Sequence, residues 1–124
     1  MNCFAKFLAA RLVSLSHALN GFAFALRTQG NIRVHIFATI AVVTLGFVLG
    51  ISRLEWAALT FAISIVWVAE LFNTALEFLC DIVAPEKSNL VKNAKDIAAA
   101  AVLLAALGAA TIGALVFWPH FSEF

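Results

Sequence analysis

The sequence is poor in charged side chains, and that scarcity excludes several classes of protein. Only 12% of its 124 residues are charged and 64% are hydrophobic, whereas soluble domains have about a quarter charged and about half apolar residues. The formal net charge is +1, so the chain lacks the basic excess of a nucleic-acid-binding protein. The composition therefore predicts a membrane protein that forms a single compact unit and has no nucleic-acid partner.

Cysteines and nucleotide-binding motifs are sparse as well. The two cysteines, Cys3 and Cys80, lack the paired spacing of a metal site. Cys80 lies in an apolar run, where a free thiol usually acts as a small apolar residue. The sequence contains no GxxxxGK[ST] loop, so any ATP site in this chain has to be of a non-standard kind.

Hydrophobic patterning predicts four helices. Apolar residues recur every three or four positions between residues 4 and 26, which is typical of a helix lying in the membrane interface, although a helix packed on a bundle fits too. Three apolar runs follow, each close to the roughly 20 residues that cross a bilayer. We therefore predict an all-α membrane protein: an N-terminal amphipathic surface helix over 1–29, transmembrane helices over 34–52, 56–83 and 97–120, and a polar loop over 84–96.

Basic residues predict the orientation of these helices. Four of them lie before the first span and three lie in the 84–96 loop, which leaves Arg53 alone on the other side. By the positive-inside rule, the N-terminus and the loop face the cytoplasm. Small residues also repeat every four positions on the last span, and such spacing lets transmembrane helices approach closely. We therefore expect close packing between subunits of a homo-oligomer.

Acidic residues are concentrated in one stretch, residues 69–98, which holds five of the seven. Within it, four polar residues are spaced by three, four and four positions and so share one face of a helix: Glu70, Asn73, Glu77 and Asp81. Because acids inside lipid are costly, this face should line a bundle interior or a groove. The pattern predicts a carboxylate track that begins in the apolar layer and opens into the charged loop.

Such a track suits a reaction between a lipid headgroup and a charged, water-soluble substrate. Carboxylates bind the Mg²⁺ that arrives with nucleotide phosphates, and a lysine neutralises phosphate charge. A deeper carboxylate can take a proton from a hydroxyl. Spacing alone leaves two alternatives open, namely a proton or cation path in a small oligomeric transporter and an interhelical polar clamp.

The stretch AELFNTALEFLCDIV, followed by AKDIAAAAVLLAA, resembles the signature of the small bacterial integral-membrane diacylglycerol kinase family. That signature reads E-[IL]-x-N-[ST]-A-[IL]-E-x-x-x-D and then A-K-D, and this chain matches it at Glu70, Asn73, Thr74, Ala75, Glu77, Asp81, Ala94, Lys95 and Asp96. The N-terminal half is similar to the undecaprenol kinase branch, which it matches at Ser14, Ala18, Asn20, Gly21, Asn31, Ile32, Arg33, His35, Ser52, Glu55 and Trp56.

The resemblance implies a homotrimer in the bacterial cell membrane that phosphorylates a lipid alcohol with ATP and Mg²⁺, undecaprenol being favoured over diacylglycerol. It implies that Glu70 is the general base and that Glu77 holds Mg²⁺. The nucleotide-binding residues implied by position are His17, Gln29, Asn73, Glu77, Glu86, Lys87, Ser88, Lys95 and Asp96. The lipid substrate would contact Glu70, Arg33 and Trp56.

One position departs from the family pattern. Four residues before Arg33 the family usually has a second metal-binding Glu, whereas this chain has Gln29. An amide oxygen can coordinate Mg²⁺ but carries no charge, so we expect the metal to bind more weakly.

Overall fold

The computed structural model describes residues 3–84 and 88–121, which form four helices. They are α1 (Cys3–Thr28), α2 (Gly30–Leu49), α3 (Arg53–Val83) and α4 (Asn89–Phe121). Each is long and apolar enough to cross a membrane, which confirms the prediction of an all-α membrane protein. α1, predicted as a surface helix, also meets that criterion, but it is the least apolar of the four.

The predicted loop over 84–96 is shorter in the structure, because α4 already begins at Asn89. The hydroxyl oxygen of Ser88 accepts a hydrogen bond from the N–H of Leu90 and satisfies one free donor of the first turn. Lys92 and Asp96 then form an ion pair one turn apart. Lysine is a good helix former outside lipid, so the start of the apolar run does not mark the start of the helix.

A single residue separates α1 from α2, so α2 begins earlier than the predicted position 34. Gln29 has an extended backbone (φ −104°, ψ 119°) and precedes the first residue of α2. Its N–H still donates to the carbonyl oxygen of Ala25 at 3.0 Å. The two helices are therefore nearly continuous along the chain, and the break places Gln29 at their junction.

A tight turn joins α2 to α3 at the opposite end of α3 from Glu77 and Asp81. Gly50 has φ 63°, a left-handed conformation that glycine adopts without strain. Ser52 and Glu55 then form a capping box, in which the N–H of Ser52 donates to Glu55 Oε2 at 2.7 Å and the N–H of Glu55 donates to Ser52 Oγ at 3.4 Å. This turn fixes α2 beside α3.

The interior of the chain is small, and it lies mainly where α3 packs on α4 near this turn. Ile51, Leu59, Val116 and Phe117 form its buried cluster. Most large apolar side chains remain exposed, including five along α1: Phe4, Leu8, Leu12, Leu15 and Leu19. Exposed apolar surface on this scale requires lipid or further subunits to cover it.

Candidate functional site

The deepest polar group of the structure is the carboxylate of Glu70 in the middle of α3. The residue is 2% exposed, and its Oε2 lies 3.5 Å from Nε2 of His35 on α2. The imidazole also lies beside Trp67, with ring centroids 6.3 Å apart. Trp67 is itself held by a hydrogen bond of 3.0 Å from its Nε1 to Thr39 Oγ1. The carboxylate therefore sits in a nearly closed site between α2 and α3.

One turn further along α3, Asn73 and Glu77 form the next pair. The amide nitrogen of Asn73 donates to Glu77 Oε1 at 3.1 Å. Asn73 is 5% exposed, and its Oδ1 has no hydrogen-bond partner within residues 3–84 and 88–121. An unpaired buried oxygen is costly, so this atom is a candidate ligand for a substrate or an ion.

The charged end of the site is formed by the last turns of α3 and the first turns of α4. The ammonium of Lys95 lies 2.6 Å from Oδ1 of Asp81, and Glu77 adds electrostatic attraction at that ammonium. Asp96 pairs with Lys92 on the exposed side of α4. The chain reversal between α3 and α4 thus brings Lys95 next to the acids of α3.

Two grooves open on either side of the polar face of α3. One, of about 440 Å³, lies between α3 and α4 and is apolar apart from Asn73. The other, of about 320 Å³, lies between α1 and α3 and contains Thr74, whose buried hydroxyl also lacks a partner in the described part of the chain. α1 packs on α3 beside this groove through aromatic contacts between Phe22 and Trp67 and between Phe24 and Phe78.

Four of the twelve predicted site residues, Glu70, Asn73, Glu77 and Lys95, lie along this single track. Glu70, Asn73, Glu77 and Asp81 follow one another on α3, and Lys95 joins them from α4. Asp96 lies next to Lys95 and faces Lys92 instead. Ser88 caps α4, while Glu86 and Lys87 lie outside the described residues.

Four other predicted residues are not joined to the track by a contact. Gln29 is half-buried at the α1–α2 junction, and His17 and Arg33 are exposed with no hydrogen bond or ion pair in the described residues. Trp56 packs on Phe47 with ring centroids 4.8 Å apart. It precedes Glu70 by 14 residues, which is about 21 Å along a helix, so it lies at the other end of α3.

His35 is the residue of the site that sequence reasoning missed. In the sequence, His35 stood only among the residues that match the undecaprenol kinase branch, and no role was predicted for it. That match was available as a signal, but it does not say which side chain the imidazole faces. That information depends on how α2 packs against α3, which the periodicity of one helix cannot supply.

The oxygen donors of the site fit a magnesium ion that enters with a nucleotide. No group of three or more His, Cys, Asp or Glu side chains converges within residues 3–84 and 88–121. Glu77 nevertheless offers a carboxylate, and Asn73 offers the buried Oδ1 that lacks a partner in the same ranges. Mg²⁺ is usually bound by one or two carboxylates together with substrate phosphates and waters. Glu77 and Asn73 would supply the protein ligands, and Gln29, predicted as a further ligand, is not joined to them by a contact in the described residues.

Comparison with known proteins finds a family that covers most of the chain. Residues 16–117 match the family described as prokaryotic diacylglycerol kinase. A diacylglycerol kinase from Synechocystis sp. is 40% identical over 109 residues, covering 87% of this chain and 62% of the relative. An undecaprenol kinase from Bacillus subtilis is 37% identical over 106 residues, 86% of each chain. A diacylglycerol kinase from Pseudomonas aeruginosa is 32% identical over 94 residues, 76% of each. The chain thus spans less than two thirds of the length of the Synechocystis relative.

Proposed function

The chain belongs to the prokaryotic diacylglycerol kinase family, a family of lipid kinases, and on that premise we propose that it transfers the γ-phosphate of ATP to the hydroxyl of a membrane lipid alcohol. The observation that carries the proposal is the order of groups along α3. A buried carboxylate, Glu70, lies deepest, and Glu77 and the Lys95–Asp81 pair follow towards the charged end. A lipid hydroxyl and a water-soluble phosphate can therefore meet between them.

The spacing of the two carboxylates supports this assignment. Glu70 and Glu77 are seven residues apart, which corresponds to about 10 Å along the helix axis. This separation leaves room for the lipid hydroxyl against Glu70 and for the γ-phosphate nearer to Glu77. Asn73, between the two acids, points a buried oxygen and an amide nitrogen into the same region.

The proposed step needs a base, charge neutralisation and positioning. Glu70 accepts the proton of the lipid hydroxyl as the hydroxyl oxygen attacks the γ-phosphorus. The bond between the γ-phosphorus and ADP breaks, and its electron pair stays on ADP. Lys95 neutralises phosphate charge, with Asp96 and the 86–88 segment contributing to nucleotide binding. Mg²⁺, when bound, supplies further neutralisation of the phosphate oxygens. Asn73 holds Glu77 in place through its hydrogen bond.

We favour undecaprenol over diacylglycerol as the acceptor. The support is the N-terminal pattern that includes Asn31, Arg33 and His35, together with the similarity to an undecaprenol kinase over 86% of each chain. The test is transfer of labelled phosphate from ATP in detergent, with each lipid offered separately. We expect the higher initial rate with undecaprenol. Phosphorylation of diacylglycerol alone would overturn the lipid assignment, and labelling of neither lipid would overturn the kinase proposal.

The assembly that fits this reaction is a homotrimer in the bacterial cell membrane, with the N-terminus and the loop before α4 in the cytoplasm. Its support is the exposed apolar face of α1, which suits a helix lying in the interface, and the small-residue face of α4, which suits helix packing. The alternative of a small transporter is left without support, because the relatives named above are kinases.

A further inference from the structure

The burial of Glu70 restricts the release of any proton that its carboxylate accepts. If it takes the proton of the lipid hydroxyl, it must lose that proton before the next turnover. Its side chain is 3% exposed, so water has little direct access to the carboxylate. His35 lies 3.5 Å away through Nε2, and 15% of its side chain is exposed. The imidazole is therefore the more accessible of the two groups.

We propose that His35 is the positioning residue that accepts the proton from Glu70 and returns it to water. The inference rests on the proposed kinase function. The proton leaves Oε2 of the protonated Glu70 and binds Nε2 of neutral His35, which gives a carboxylate beside an imidazolium. The imidazolium then releases a proton to water, and both residues return to their starting states with no other reactant consumed.

The surroundings of His35 hold the ring for this transfer. Trp67 packs beside it, and Trp67 is fixed by its hydrogen bond to Thr39 and by contact with Phe22 of α1. The 3.5 Å separation is slightly longer than an ordinary N–H···O hydrogen bond. A shift of a few tenths of an ångström brings the pair within transfer distance, and catalytic contacts often tighten only with substrate bound.

Few charged groups contact His35 in the described residues. Glu70 on α3 is its sole ion-pair or hydrogen-bond partner within the described ranges. On the side of α1, the apolar Phe22 contacts Trp67, which in turn lies beside His35. No titratable residue among the described residues of α4 pairs with His35. The second ring nitrogen is likewise unpaired in the described part of the chain. It is thus not held by another side chain in those ranges.

The test compares lipid phosphorylation by the full-length wild type, His35→Gln and His35→Ala from neutral to alkaline pH, with and without added imidazole. At neutral pH we expect kcat of both variants to fall about a hundredfold, the lower end of typical acid–base contributions, with KM for ATP nearly unchanged. The deficit should shrink as pH rises, because hydroxide can then take the proton from Glu70. Imidazole should restore part of the lost rate in His35→Ala.

His120→Ala is the matched control, since it removes a histidine that contacts another carboxylate, Glu55, at the opposite end of α3 and leaves the His35–Glu70 contact in place. We expect no rescue by imidazole and no pH-dependent deficit in this variant. Wild-type rates in both His35 variants, or a loss that neither pH nor imidazole alters, would overturn the relay. A wild type that transfers no phosphate to any lipid would instead overturn the kinase proposal itself.

Discussion

The ammonium of Lys95 lies 2.6 Å from a carboxylate oxygen of Asp81, and this ion pair fixes the first turns of α4 against the last turns of α3. The side chains are 32% and 65% exposed, and exposed ion pairs contribute little to stability. The pair therefore matters more for where it places a positive charge than for the energy of the fold. That charge lies at the end of the track that starts at Glu70.

Lys95 provides the sharpest test of the charged end of the site. We expect Lys95→Ala to lower kcat/KM for ATP by about a hundredfold or more, because it removes a charge that neutralises phosphate in the transition state. Lipid phosphorylation at varied ATP is the measurement. The matched control is Lys92→Ala, which removes the same charge one turn earlier on α4. The two variants should differ by at least about tenfold, and equal effects would remove Lys95 from the site.

Substitutions of Gln29 test whether this residue is a metal ligand. The substitution Gln29→Glu restores a negative charge at the α1–α2 junction, and we expect it to lower the Mg²⁺ concentration needed for half-maximal activity severalfold, since Mg²⁺ prefers carboxylate ligands. Gln29→Leu, which removes the oxygen, should raise that concentration. Titration of kinase activity with Mg²⁺ distinguishes the three proteins. An unchanged Mg²⁺ requirement in both variants would mean that Gln29 is not a metal ligand.

A substitution of Gly46 tests how closely α2 packs against the start of α3. A Cβ at this position would lie 2.9 Å from Cη2 of Trp56 and 3.1 Å from Cδ1 of Ile51. Overpacking of this kind typically costs about 1–3 kcal/mol, so we expect Gly46→Ala to lower the thermal midpoint in detergent by several degrees.

Gly21→Ala is the control for this substitution. Nothing lies within 4 Å of a Cβ at Gly21, and the residue is inside α1. Alanine is the better helix former by about 1 kcal/mol, so this variant should be at least as stable as the wild type. A Gly46→Ala variant as stable as Gly21→Ala would contradict the packing described for Trp56.

The order of groups on α3 could be predicted from the sequence because it depends on one helix alone. A spacing of three and four residues places Glu70, Asn73 and Glu77 on one face whatever the surroundings are. The resemblance to the kinase family then supplied roles for these positions. The family itself is confirmed by the match over residues 16–117.

Contacts between helices could not be predicted in the same way. The proximity of His35 to Glu70 and of Lys95 to Asp81 depends on packing and on the reversal between α3 and α4. The start of α4 was also placed too late, because lysines outside lipid are good helix formers and can extend a helix beyond its apolar run. Trp56 packs on Phe47 at the far end of α3, and its contact with the lipid stays a prediction.

The proposed reaction depends on the buried carboxylate of Glu70, which accepts the proton of a lipid hydroxyl. The direct measurement is the rate of phosphate transfer from labelled ATP to the lipid by Glu70→Gln, with binding of ATP and the oligomeric state measured on the same sample. Glu55→Gln, which makes the same change at the opposite end of α3, is the control. We predict that Glu70→Gln loses at least about a hundredfold in kcat while still binding ATP, and that Glu55→Gln keeps most of its rate. Turnover of Glu70→Gln at the wild-type rate would contradict the account.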